Sequence, residues 1–163
     1  MNPLMLTLSL LGFAADPFTV PVDEWPKQHP KATPGIAYKG GQEGEADQRI
    51  EARRFNEVGS VALLGRTIPT QESFLFTHGR LSSMSIYLEC SGRRDGKRCK
   101  EVGTNLDQLL KEKLGSPNCK LPGNAPAWKF DDVVVHTSGA SVMFSKGIPN
   151  VTCGAAAEPG SGK

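Results

Sequence analysis

Four cysteines constrain this chain more than any other feature. Cys90, Cys99, Cys119 and Cys153 all lie in the C-terminal half of 163 residues, with 8, 19 and 33 residues between them. A zinc site ordinarily contains at least one close pair such as C-x-x-C, and none of these gaps supplies one. An even cysteine count in an exported chain reads instead as two disulfides. Pairing Cys90 with Cys99 and Cys119 with Cys153 minimises crossed loops and is the expected framework. Each closure contributes roughly 2–4 kcal/mol by restricting the unfolded chain. The contribution matters because Gly 18 and Pro 12 make the sequence rich in loops.

Export is read from the first residues. No Lys, Arg, Asp or Glu precedes Asp16, and Pro3 to Phe13 is nearly continuous apolar sequence. A membrane span needs about 20 apolar residues, whereas an export signal needs about 7–15 followed by small residues. Gly12 and Ala14 occupy the two positions a signal peptidase reads, so residues 1–14 are expected to be removed after Ala14. The competing reading is a buried N-terminal strand or helix, favoured by the missing basic residue ahead of the run. The expected location is secreted or periplasmic, in the cell envelope, with no transmembrane segment.

Behind the signal, residues 15–44 carry Pro17, Pro21, Pro26, Pro30 and Pro34, then Gly35, Gly40, Gly41 and Gly44. This spacing predicts an extended leader without helix or central strand, whose Phe18, Val20, Val22 and Trp25 dock on the domain or on a partner. A single domain is expected over residues 45–153, and a flexible tail over 154–163. Residues 45–58 fit neither helical spacing nor clean alternation. Ser60 to Ile68 reads as one strand buried on both faces. Ser73–Thr77 and Leu81–Cys90 flank a turn at His78-Gly79. A three-residue loop, Thr77-His78-Gly79, would bring Phe74, Phe76, Met84, Ile86 and Leu88 to one face. Thr104 to Gly115 predicts a helix with Thr104 as N-cap and Gly115 as stop, its leucines 106, 109, 110 and 114 on one side. Trp128–Thr137 and Ala140–Ser145 predict a second hairpin around a two-residue Ser138-Gly139 loop. The fold class is therefore α+β: an antiparallel sheet of about five strands, two hairpins plus a preceding strand, with one amphipathic helix on one face and two disulfides.

Chemistry is sparse. A net charge of +2 is too balanced for a dedicated nucleic-acid binder. No G-x-S-x-G, H-E-x-x-H or phosphate-cradling glycine loop occurs. His136 has Asp132 four residues back and Ser138 after it. Positions i and i+4 of one strand stand about 13 Å apart, too far for the aspartate to orient the imidazole. Asp131-Asp132 resembles a carboxylate pair, but neighbours on a strand point to opposite faces. His29 reads as a linker residue. Arg93, Arg94, Lys97, Arg98 and Lys100 concentrate positive charge in one loop without aromatic residues for base stacking.

These features point to a non-enzymatic exported domain that binds a protein partner, as an inhibitor or as an accessory subunit of an envelope or surface assembly. Its expected contacts are Arg93, Arg94, Lys97, Arg98, Lys100 and Trp25. The alternatives are a small hydrolase using His136, or a polyanion-binding module through the 93–100 loop. No cofactor, metal or sequence-specific nucleic acid is expected.

Overall fold

A computed structural model of the chain describes residues 3–11, 13–35, 38–40, 50–63, 65–90 and 96–154. Its centre is an antiparallel sheet built mainly from β3 (Ile50–Leu63), β4 (Arg66–Thr77), β5 (Arg80–Leu88), β7 (Pro126–Phe130), β8 (Val133–Ser138) and β9 (Ser141–Lys146). Two-residue or three-residue strands complete it: β1 (Thr33–Pro34), β2 (Tyr38–Gly40), β6 (Cys119–Lys120) and β10 (Thr152–Cys153). Nine strands run in the order β1-β3-β4-β5-β9-β8-β7-β6-β10, and β2 also pairs β3. The class is as expected, but the sheet is about twice as wide.

One extra strand comes from a turn hidden inside an expected strand, and the short β1, β6 and β10 supply the other three. Ser60 to Ile68 is not one strand, because Leu63 pairs Arg66 across a two-residue turn in which Gly65 takes φ 70°. Trp128 to Thr137 likewise divides at Asp131-Asp132, where Phe130 pairs Val133 and Asp131 takes φ 51°. Burial then alternates: Val61 and Leu63 are buried while Ala62 between them is exposed. Pro69 fits inside β4 because residue 69 points toward the β5 side, beyond the last ladder pair. There only its carbonyl is used, accepting from the Glu89 amide at 2.8 Å.

The β4–β5 hairpin reaches the expected common face by another route. The loop has two residues, His78 (φ 52°) and Gly79 (φ 74°), with Thr77 paired to Arg80 and Phe76 to Leu81. Both central residues are left-handed, as a type I′ turn demands. A bulge at Ser82 then restores the face, so that Phe74 pairs Met84. The Ser82 hydroxyl anchors the bulge by donating to the Leu75 carbonyl at 2.9 Å. In the second hairpin the loop is Gly139-Ala140 rather than Ser138-Gly139. The register moves by one pair, Val135 facing Phe144, and the buried face is unchanged.

Helix α3 (Gly96–Leu114) starts eight residues before the expected N-cap. Thr104 is inside it, its hydroxyl donating to the Lys100 carbonyl at 2.9 Å. Val102, Leu106 and Leu110 form its buried stripe. Gly115 (φ 80°) ends it, and its carbonyl accepts from Trp128 Nε1 at 2.8 Å, so a core tryptophan satisfies a group the helix leaves open. Both disulfides form as expected. Cys90–Cys99 ties the end of β5 to the first turn of α3, and Cys119–Cys153 joins β6 to β10.

The N-terminal residues complete the core. Helix α1 (Pro3–Leu10) lies against α3, with Leu4, Thr7, Leu8 and Leu11 buried at helical spacing. The leader is not simply extended: Pro17–Thr19 forms a 3₁₀ turn and Trp25–Gln28 a helical turn, α2, in which Pro26 occupies the first turn, where no amide partner is lost. Phe18, Val22 and Trp25 are buried in the same cluster as Phe74, Phe76 and Phe144.

Candidate binding groove on the outer sheet face

Strand alternation gives the sheet two unlike faces. Phe55, Phe74, Phe76, Met84, Ile86, Val135, Val142 and Phe144 fill one, beneath α1, α3 and the leader. Among the described residues the opposite face is covered only at its far end, where Cys119, Ala127 and Val134 pack with Leu121, Ile148 and Val151 around the second disulfide. At the β3–β4–β5 end it is open, and there it forms a groove of about 440 Å³. Asn56, Val58, Gln71, Ser73, Ser85 and Tyr87 line it, with Lys31 and Thr33 at its rim and Glu57 and Glu72 contributing from the strands beneath. Ser73 stands directly across from both Asn56 and Ser85, and Gln71 across from both Val58 and Tyr87.

Each side chain is positioned by sheet register, which leaves little for loops to decide. Gln71 donates to Glu89 at 3.2 Å, and the Tyr87 hydroxyl lies 3.6 Å from Cys90 Sγ, so both are braced against the chain segment after β5. Val58 is 71% exposed, the one exposed large apolar residue among those described. Hydroxyls, amides, one ammonium group, the two carboxylates of Glu57 and Glu72 and an aliphatic rim suit hydrogen bonding to an extended polar ligand. They do not supply a nucleophile with a base: none of the lining residues is His or Cys.

Behind the groove, on the core side, Glu57 and Glu72 face each other across β3 and β4. His29 Nδ1 lies 2.9 Å from Glu57 and its ring stacks on Trp25, 4.0 Å between centroids, so His29 fastens the leader rather than lying in a free linker. Glu72 accepts from the Thr70 hydroxyl at 2.8 Å, yet burial raises its pKa above the usual carboxylate range, and the Glu57 charge adds to this. Among the described residues no cluster of His, Cys, Asp and Glu could hold a metal ion.

The residues expected from sequence are dispersed. Trp25 is 0% exposed and is spent inside the core, because α2 turns it inward onto Phe74 and Phe76. Lys97, Arg98 and Lys100 are exposed, but on the first turns of α3 rather than in a loop. Arg93 and Arg94 lie outside the described residues. His136 is half-buried, and burial lowers its pKa; among the described residues its Nδ1 has no hydrogen-bond partner, while Asp132 pairs with Lys146 at 3.2 Å. The imidazole thus lacks an orienting carboxylate. Sequence reasoning missed the groove. Its signal was available in the alternation of Asn56, Val58 and of Gln71, Ser73 with Phe55 and Phe74, once the two strands are recognised.

Comparison with known protein families, curated proteins and solved structures gives no match, so the groove is read from its own geometry.

Proposed function

We propose that this chain is a non-enzymatic, exported domain that binds a protein partner, as an inhibitor or an accessory subunit of an envelope or surface assembly. The groove on the outer face is the contact, and an extended polar segment of the partner is its occupant. One observation carries this reading: the open end of the sheet presents hydrogen-bonding side chains with the adjacent Tyr87 and exposed Val58, and no His or Cys lines it. Aromatic and aliphatic anchors flanked by amides and hydroxyls are what a protein contact uses. Export is supported by the charge-free apolar head and by two disulfides, which persist in oxidising compartments. No described helix is long and apolar enough to cross a membrane.

A specific observation favours an acidic surface on that partner. Lys97, Arg98 and Lys100 crowd the start of α3, whose first turn holds no acid, so side-chain charge and the positive helix end reinforce each other. The test is capture of partners from extracellular or envelope material with the disulfide-intact chain, repeated with Lys31→Glu and Tyr87→Ala together. Retention of the captured protein should fall by about tenfold or more, measured well below the melting temperature of the variant so that lost Tyr87 packing is not counted as lost binding. Unaltered retention would remove the groove as the contact.

A further inference from the structure

Among the described residues the outer edge of β3 is left open over part of its length. On the side away from β4, β1 covers Phe55 and Asn56, and β2 covers Ile50 to Ala52. Among the described residues no strand covers Glu57 to Leu63 on that side. The direction of the backbone groups follows from the ladder. The Arg54 carbonyl accepts from Gly35 at 2.7 Å and the Asn56 carbonyl from Thr33 Oγ1 at 3.2 Å, so even-numbered residues of β3 point outward. The β3–β4 register runs without a shift from Ala52 to Leu63, which carries that direction on to Val58, Ser60 and Ala62.

Exposed edges are normally blunted by lysine, proline, a bulge or a covering loop. The segment Val58-Gly59-Ser60-Val61-Ala62-Leu63 has no charge and no proline, and Val58 is 71% exposed. It is also self-complementary. Turned about a two-fold axis at Ser60, it sets Ser60 opposite Ser60, Val58 opposite Ala62 and Glu57 opposite Leu63, with no like charges meeting. All the outward-pointing groups fall in hydrogen-bonded pairs in this register. The ends match as well: each copy's strand turns away after Leu63, where the other copy's β1 begins at Asn56.

We propose that two copies of this chain join through the β3 edge, antiparallel about a two-fold axis at Ser60, into one continuous sheet. Such an interface is isologous and closed, so it ends at the dimer. It does not depend on the partner proposed above, but it places two grooves on one shared outer face, each with the other copy's Ala62 beside its Val58.

The full disulfide-bonded chain should sediment as a dimer at high micromolar concentration. Ser60→Cys adds the only free thiol, since all four native cysteines are paired, and mild oxidation should link the two copies through residue 60. Ser60→Pro should give a monomer with an unchanged melting temperature, because the lost amide points away from β4. Val58→Lys, which puts a charge on the edge, should do the same if the proline disturbs the strand. A monomeric parent chain overturns the proposal. So does a dimer that survives both substitutions, or one that Ser60→Cys fails to cross-link.

Discussion

Gly103 in α3 runs so close to the turn between β8 and β9 that a Cβ on it would stand 2.6 Å from the Gly139 carbonyl oxygen. This contact sets how near the helix can approach the sheet. At an exposed helix position, glycine to alanine stabilises by about 1 kcal/mol. Here the collision is with backbone, so Gly103→Ala should instead destabilise by about 1–3 kcal/mol. Gly96, at the start of the same helix, has nothing within 4 Å of its would-be Cβ. Gly96→Ala should be neutral or slightly stabilising. Melting curves of the two variants should therefore shift in opposite directions or differ by several degrees, and equal shifts would show that the helix is not held at this distance.

Two half-buried titratable groups give opposite pH slopes. Burial holds His136 below its ordinary 6.5, so its neutral form is favoured in the fold. Its contribution to stability is complete above about pH 6.5 and is lost as the pH falls through the folded-state value. Burial raises Glu72 above its ordinary 4.5. Its contribution is complete below that value and is lost as the pH rises through the higher folded-state value. His136→Gln should accordingly lessen the fall in melting temperature on acidification below pH 6.5. Glu72→Gln should lessen the decline above pH 4.5 while keeping an acceptor for Thr70. Profiles parallel to that of the parent chain would contradict both assignments.

What could be read from sequence divides along a physical line. The disulfide pairing and the one-sided stripe Leu106, Leu109, Leu110 were legible because loop crossing and helical period are local properties. The sheet's width was not, because the turn that adds a strand lacks a glycine and β1, β6 and β10 are two-residue strands with no alternation to read. Asp131 adopts φ 51° without a glycine after it, and Gly65 follows the four apolar residues Val61-Ala62-Leu63-Leu64 in one run. In the first hairpin the sequence presented a conflict between a two-residue turn and a common face, and a bulge at Ser82 resolves it. The start of α3 was obscured by its cations and by Gly103. The spacing of Cys99, Val102 and Leu106 nevertheless continues the buried stripe upstream. Trp25 was misplaced because proline density describes backbone freedom and says nothing of where an aromatic ring is buried.

Export and packing make a joint prediction about α1. Material recovered from outside the cytoplasm should begin at Ala15 on N-terminal sequencing, and an intact Met1 would oppose it. Removing residues 1–14 uncovers the seat of Leu4, Leu8 and Leu11, all buried against the core. Each such side chain contributes roughly 1.5–3 kcal/mol, an upper range given residual burial in the unfolded chain. The chain starting at Ala15 should therefore be less stable than the full chain by about 3–6 kcal/mol. Equal denaturation midpoints would mean that α1 adds nothing to the fold.

The start of α3 offers a separate handle on association. Lys97 and Lys100 are exposed, and both sit at the end of the helix where positive charge is disfavoured. Replacing both with Glu reverses the sign of that interaction, so stability should rise by a few tenths to about 1 kcal/mol. Steering toward an acidic partner should move the other way. The double variant should associate more slowly at low salt, and the difference should shrink as the screening length falls to about 8 Å near physiological ionic strength. Stopped-flow association with the captured partner across a salt series measures both effects. A rate that is unchanged at low salt would assign these lysines to solvation alone and leave recognition to the groove on the opposite face of the sheet.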